Sequence, residues 1–594
     1  MEKSLFANLK AIILKYRKRF LKGFLFVLLS NLLLLLNPLL FRQALYKLDA
    51  KGNFKEDLWS LTSYFPDSIL LWGALLLTVA FLSTFFKYLM RIAFISISRE
   101  AESWIREIIF FRIEDQSQEF FDRYGIGELL SRLTNDITRY RDVLGPGLMY
   151  PFFGVTLIFP GLIILFFLSW QLALVALIPI IAIPIAYTFF KGRIYSSSEE
   201  VLSKYAALSD YAAEHYSNIR LVKSAGIEKR LERVFNKLSY SLIKPSVYLT
   251  TIEGTFYPLI ASLTRLSPIL VLLTAAFFSH FYGVSFKTPD LLSFIWVQSY
   301  IYGPVLMLSW VFPFYETGKA SYDRLKAIYD EPIKVIDPKN NIRIKPDDLY
   351  LEIKNLSFTY PGASKKALDD FSLLVKKGEH IGITGPIGSG KSTLFKLISR
   401  AYEIDPGKIL FSGVDIKDIP LKEIYLNLAL CEQIPFLFSK TIAENARFAS
   451  EDASMEDLEI VFKFADLHET ILSFPEQYDT MIGERGITLS GGQKMRLALA
   501  RAFLLKRPIL LFDDIFSSVD ATTEEHILSS IKSFFKGRTI LLISERISAL
   551  EKMDRVLYLQ EGKIVEQGTP EELKKLNGKY QSLYELNKLD LKQE

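Results

Sequence analysis

Two adjacent carboxylates, Asp513 and Asp514, close the apolar run Ile509 to Phe512. A buried strand ending this way delivers oxygen ligands to one place, and Asp513 at its carboxyl end can hold Mg2+ through water. Asp514 follows in the position of a general base for an attacking water. Upstream, HIGITGPIGSGKSTLFKLISR, His380 to Arg400, reads as a short apolar strand, a glycine loop and an amphipathic helix. Within it GPIGSGKS, Gly385 to Ser392, fits the phosphate-loop pattern G-x-x-x-x-G-K-[ST]. Gly385, Gly388 and Gly390 let the chain curl so that the stretch Gly385, Pro386, Ile387, Gly388, Ser389, Gly390, Lys391, Ser392 and Thr393 wraps phosphate oxygens at a helix N-terminus. Lys391 supplies charge to the β and γ phosphates, and Ser392 an oxygen to the cation.

A second anion-facing element is LSGGQKMRLALARAFLLKRP, Leu489 to Pro508. Ser490 can cap its helix, and the first turn of Gly491, Gly492 and Gln493 presents bare N–H groups. LSGGQ between a phosphate loop and an aspartate strand is the signature of ATP-binding cassette proteins, which this chain resembles throughout. The resemblance extends to Tyr360 in FTYPG, where the family stacks an aromatic ring on adenine, and to Gln433 in CEQIPFLFSKTIAEN, at the Q-loop position. It extends also to TMIGERG, Thr480 to Gly486, which meets the membrane-domain arms in exporters, and to Asp520 in SSVD, the D-loop. It implies ATP and Mg2+ as cofactors, with Ser392, Gln433 and Asp513 at the metal.

Two positions depart from the family pattern. The catalytic Glu is Asp514 here, and in LLISERIS the switch His is Glu545. Losing one methylene retracts a carboxylate by roughly 1.5 Å, and a misplacement of about 1 Å can cost about 10²-fold in rate. An ionised Glu cannot donate a hydrogen bond and repels a γ-phosphate. The family's cassettes close as head-to-tail dimers, each ATP lying between one chain's phosphate loop and the other's LSGGQ. An intact phosphate loop, degraded hydrolytic residues and a whole signature together resemble the noncatalytic half of a heterodimeric exporter.

The elements that must carry these residues are unusual in composition. The chain has 594 residues, 50% of them hydrophobic, and a mean hydropathy of +0.21, which points to membrane insertion. A net charge of +5 gives no sign of a nucleic-acid partner. The single cysteine, Cys431, excludes an intramolecular disulfide framework. Six stretches meet or approach the roughly 20 apolar residues of a membrane helix: Phe20 to Phe41, Ile69 to Met90, Pro151 to Trp170, Leu172 to Phe190, Phe256 to Phe278 and Leu291 to Phe312. The basic clusters Arg17 to Arg19 and Lys191 to Arg193 assign the termini to the cytoplasm of a multi-pass inner-membrane protein.

Arg91 to Tyr150 and Lys191 to Ile252 read as helical arms reaching roughly 40 Å into the cytoplasm, with short turns at their tips within FFDRYGIGELLSRLTND and YSNIRLVKSAGIEKR. Residues 3–19 read as an interfacial helix or a frayed basic tail. The expected organisation is a membrane domain over 1–330, a proline-punctuated linker over 331–348 and an α/β phosphate-loop ATPase domain over 349–594. Six spans ahead of one cassette resemble the type I exporter half-transporter. FFDRYGIGELLSRLTND resembles its first arm, and GKASYDRL, Gly318 to Leu325, the exit from its sixth span.

The resemblance implies a second half-transporter as partner, a lipid bilayer, and export of a hydrophobic or amphipathic compound. A slow homodimer, with Asp514 as a weak base, and an ATP-gated channel or regulatory subunit are the rival readings. Arg265 lies near the middle of the fifth span, where it either meets an anionic head group or pairs with another helix. Phe-rich spans line a cavity or face lipid.

Overall fold

The computed structural model describes residues 14–49, 69–339, 342–344, 349–483, 489–517, 519–534 and 536–590. Most of the expected interfacial helix, residues 50–68 between the first two expected spans, part of the linker, Glu484 to Gly486 of TMIGERG and Ser518 of SSVD lie outside them. The chain divides into two compact units. One holds 1–114 and 127–331; the other holds 115–126 and 332–594.

In the first unit the apolar runs become the helices α1 (Arg17–Asp49), α2 (Ile69–Glu114), α4 (Pro146–Leu168), α5 (Trp170–Ser217), α7 (Glu228–Tyr282) and α8 (Thr288–Asp330), of which α2, α5 and α7 continue without a break into the arms while Gly145 separates α4 from the helix before it. Among the described residues these are the six helices long and apolar enough to span a bilayer. The third span stops short of the expected Trp170. Ser169 is extended, its hydroxyl accepts from Leu172 N–H, and Trp170 opens α5. A short helix follows α5 in this unit, α6 (Ile219–Ala225), and another, α3 (Gln118–Arg123), follows α2 in the chain and belongs to the second unit.

Polar contacts fix the register of the bundle. Asp290 on α8 accepts from Arg42 Nε and Tyr46 hydroxyl on α1, each at 2.5 Å. Asp136 lies at the end of a π-helical turn, Arg132–Asp136, and accepts from Ser321 Oγ at 3.0 Å and Arg324 Nε at 2.9 Å. That pair joins FFDRYGIGELLSRLTND to GKASYDRL. A Cβ on Gly318 would come within 2.1 Å of Val143 Cγ2, so the last span packs there only as glycine.

The second unit is built on two sheets. A six-stranded sheet runs β10-β9-β3-β8-β7-β6, in which β3 (His380–Thr384), β6 (Leu428–Cys431), β7 (Ile509–Asp513), β8 (Thr539–Ile543) and β9 (Arg555–Gln560) are parallel and β10 (Lys563–Gly568) is antiparallel. Its core strands are apolar on both faces because both are covered: Leu510, Phe512, Ile540 and Leu542 enter one core, and Ile509, Leu511, Leu541 and Ile543 the other. The smaller antiparallel sheet is formed by β1 (Leu351–Phe358), β2 (Leu368–Val375), β4 (Ile409–Phe411) and β5 (Val414–Asp415). Full burial of each such side chain contributes about 1.5–3 kcal/mol, which anchors the strand ends where the candidate residues sit. Cys431 is buried, and desolvation pushes its thiol up to about 12.

Candidate functional site

The glycine loop between β3 and α9 (Lys391–Ile398) is dictated by backbone space. Gly385 has φ +143 and Gly390 φ +99; a Cβ on the first would stand 2.0 Å from Leu559 O, and on the second 2.3 Å from Ala367 O. Gly562 N–H donates to Ser389 O at 3.1 Å, tying the loop to the β9–β10 turn. Lys391 Nζ donates to Gly385 O at 2.6 Å and Pro386 O at 3.0 Å. Burial pulls its pKa down, while Glu545, Asp513 and Asp514 push it up. Ser389 Oγ is buried and has no hydrogen-bond partner among the described residues. Ile387 stands almost fully exposed.

The carboxylates converge on that lysine from two neighbouring strands. Asp513 ends β7, and its pKa is raised by burial against a hydrogen bond from Ser392 and the charges of Lys391 and Lys396. Asp514 takes a left-handed conformation, φ +49, which costs a non-glycine residue roughly 1–2 kcal/mol. It is held there by its N–H to Ile543 O at 2.9 Å and by Ser517 N–H to its own carbonyl at 3.3 Å. Ile515 and Phe516 beyond it are fully buried and draw the chain inward. Gln433 Nε2 donates to Asp514 Oδ2 at 3.1 Å. Burial, then the charge of Glu545, raises the Asp514 pKa. Glu545 itself is exposed, just past β8.

Other expected residues form local structures. Ser490 caps α10 (Gly491–Leu505) in a capping box: Gln493 N–H donates to Ser490 Oγ at 3.3 Å, and Ser490 N–H to Gln493 Oε1 at 2.9 Å. Gly491 and Gly492 form the first turn. Asp520 accepts from Thr523 N–H at 3.0 Å and Thr522 Oγ1 at 2.5 Å, where α11 (Ala521–Phe534) begins. These bonds hold its carboxyl well below the usual range. Tyr360 and Thr393 share a hydroxyl hydrogen bond at 3.1 Å. The structure thus gathers Lys391, Ser392, Asp513, Asp514, Gln433 and Glu545. Among the described residues, no hydrogen bond or ion pair joins Ser490 or Asp520 to that group.

Sequence reasoning missed Tyr402. Its ring meets Phe358 and Tyr360 edge-on, with centroids 5.5 and 5.4 Å away, and its hydroxyl donates to Asp122 on α3. Gln118 N–H donates to Ala401 O at 3.3 Å beside it. No local pattern announces this residue, since its partners are far away in sequence.

Known proteins share this arrangement. The family model of the ABC transporter transmembrane region matches residues 20–305, and that of the ABC transporter matches residues 368–517. A "Multidrug resistance-like ATP-binding protein MdlA" of Buchnera aphidicola is 32% identical over 503 residues, 83% of this chain and 86% of that protein. An "ATP-dependent lipid A-core flippase" of Pseudomonas aeruginosa is 31% identical over 484 residues, 81% and 79% of the two chains. A solved bacterial Atm1-family ABC exporter with ATP bound superposes with TM-score 0.77 and 25% identity, over 96% of this chain and 98% of that one. With a glycine loop, an LSGGQ helix and an aspartate strand behind six membrane helices, the chain belongs to the ABC transporters, its transmembrane region fused to an ATPase domain.

Proposed function

We propose that this chain is the noncatalytic-site half of a heterodimeric exporter that uses ATP to move a hydrophobic or amphipathic compound across the cytoplasmic membrane. Both termini lie in the cytoplasm. The observation that carries the reading is an intact phosphate loop facing an altered rim, with Lys391 in the field of Asp513, Asp514 and Glu545. The multidrug and lipid names of the relatives support the class of compound.

The residues present fit a nucleoside triphosphate with its cation. The curl is enforced by glycine, Ser389 Oγ is a buried hydroxyl lacking a partner among the described residues, and the Lys391 ammonium is engaged by loop carbonyls. The loop N–H groups, Lys391 and Thr393 would hold phosphates, Tyr360 the adenine, and Ser392, Gln433 and Asp513 the metal. Bound Mg2+ supplies neutralisation of phosphate charge. Asp514 orients too short a carboxylate for a strong base, and Glu545 offers only acceptors toward the γ-phosphate side. Ser490, Gly491 and Gly492 complete the partner's site. A slow homodimer is the second reading, favoured by the bond from Gln433 that keeps Asp514 oriented.

The test is to purify the chain alone and with a co-expressed neighbouring half-transporter, and to measure ATP turnover of each. The complex turns over, the chain alone turns over little, and Gly491→Asp in this chain abolishes most turnover of the complex. Equal rates for the chain alone and the complex would establish the homodimer.

A further inference from the structure

We propose that Tyr402 is a positioning residue for the nucleotide base: it fixes the plane of the Tyr360 ring on which adenine stacks, and is itself tethered by Asp122 of α3. The assignment deepens the reading of Tyr360 as the adenine contact and rests on it. Tyr360 stands half-buried two residues beyond β1, in a stretch that belongs to no strand or helix. Its hydroxyl shares a hydrogen bond with Thr393 at 3.1 Å, in the first turn of α9. A tyrosine hydroxyl lies on the axis about which its ring turns. That bond therefore fixes the axis and leaves the plane to be set by neighbours.

Two rings set it. Tyr402 lies at 85° to Tyr360 with centroids 5.4 Å apart, and Phe358 at 82° and 5.1 Å. Phe358 and Tyr402 also meet, at 62° and 5.5 Å. Near-perpendicular rings at these separations suit the aromatic quadrupole, and each such pair is worth roughly 2- to 12-fold in an equilibrium constant. Phe358 and Tyr360 are near neighbours in the chain, so Tyr402 is the member that closes the triad from elsewhere. A platform oriented before the base arrives loses little freedom when the base binds. A ligand without a base gains nothing from it.

Tyr402 can serve as a fixed reference because it is held at both backbone and ring. It is almost fully buried, and the chain before it is turned by Arg400, also buried and left-handed at φ +55. The Arg400 guanidinium donates to Ile419 O at 3.2 Å and to Ile336 O at 2.9 Å. The Tyr402 hydroxyl donates to Asp122 Oδ2, and Asp122 Oδ1 accepts from Gln118 Nε2 at 3.0 Å. Gln118 N–H donates to Ala401 O at 3.3 Å. Helix α3 thus grips Tyr402 by its hydroxyl and by the carbonyl before it. The base platform inherits its rigidity from a segment 280 residues away in the chain.

The experiment uses the full complex with the partner's site disabled. ATP and inorganic tripolyphosphate compete against a fluorescent ATP analogue, whose own affinity is measured for each variant. Tyr402→Leu weakens ATP by about tenfold and tripolyphosphate by about twofold at most, a split that a general loosening of the fold does not produce. Tyr402→Phe keeps the ring and loses the bond to Asp122, so it weakens ATP by about threefold. Asp122→Ala does the same, and the two together do no more, because they remove one bond. Equal weakening of both competitors, or unchanged ATP affinity in Tyr402→Leu, overturns the assignment. Unchanged ATP affinity in both Tyr402→Phe and Asp122→Ala overturns the tether, and these two variants carry the test if Tyr402→Leu does not fold. Tyr360→Leu separates this assignment from the reading beneath it, and weakens ATP more than tripolyphosphate. That loss without one in Tyr402→Leu overturns Tyr402 alone; no loss in Tyr360→Leu overturns the adenine reading itself.

Discussion

The phosphate loop and the carboxylate rim lie at the ends of strands in one sheet, yet they are held by different means. The loop after β3 is fixed by backbone against backbone, with Gly385 and Gly390 set where no Cβ fits. The rim after β7 and β8 also has its backbone bonded, Asp514 N–H to Ile543 O, but its carboxylates are placed by side chains: that of Asp514 is steadied by Gln433, and Glu545 stands exposed. On the proposed roles, phosphate binding would depend on geometry that a larger residue at Gly385 or Gly390 disturbs, whereas hydrolysis would depend on two side chains that can change without disturbing the fold. A site of this kind loses its chemistry before its ligand.

The strongest break of that contrast is Gly385→Val. The atom in the way is a carbonyl of β9, which cannot rotate aside, so nucleotide binding at this site is lost. Lys391→Ala is milder, because the loop remains; affinity falls about 10- to 150-fold, the worth of hydrogen bonds from a charged donor, roughly 1.5–3 kcal/mol. Both are read by equilibrium binding of a fluorescent ATP analogue with the partner's site disabled. Binding by Gly385→Val as tight as wild type would show that the loop does not carry the phosphates.

Of comparable size at most, and opposite in sign, is repair of the rim. With the partner's catalytic Glu changed to Gln, Asp514→Glu alone restores little turnover because Glu545 still repels the γ-phosphate. Adding Glu545→His restores more than the sum of the single changes, up to about 10²-fold, since base and phosphate contact act in one transition state. A double variant no faster than wild type would place the block elsewhere.

How far the sequence reached follows the range of the interactions. The six spans were legible because hydropathy is local, and the phosphate loop because its glycines stand at fixed spacing. The arm tips were legible as turns. The π-helical turn before Asp136 was not, because its carboxylate is bound by Ser321 and Arg324, far along the chain. The left-handed backbone at Asp514 was equally hidden: aspartate enters that region more readily than most residues but does so at few of its positions, and the cause here is the end of β8 at Ile543 together with buried Ile515 and Phe516. Tyr402 was missed for the same reason, being defined by Asp122 and two aromatic rings.

The smallest effect gives the sharpest reading of the rim. Glu545→Gln removes one negative charge near the phosphate loop and keeps the shape. Unit charges about 4 Å apart in water interact by about 1 kcal/mol, so ATP binding at this site tightens by roughly fivefold or less. The same change alters the pH dependence of residual turnover. Asp514 must be ionised to act as a base, and its pKa is raised first by burial and second by Glu545. Turnover at this site therefore falls as the pH drops through that raised value, above where an ordinary aspartate would protonate. In Glu545→Gln the second cause is gone and the first remains, so the acid limb moves toward lower pH without reaching the ordinary carboxylate range. The profile is measured with the partner's site silenced. A limb that stays in place would mean that the titrating base is a group other than Asp514, and that its carboxylate takes no part in what hydrolysis remains.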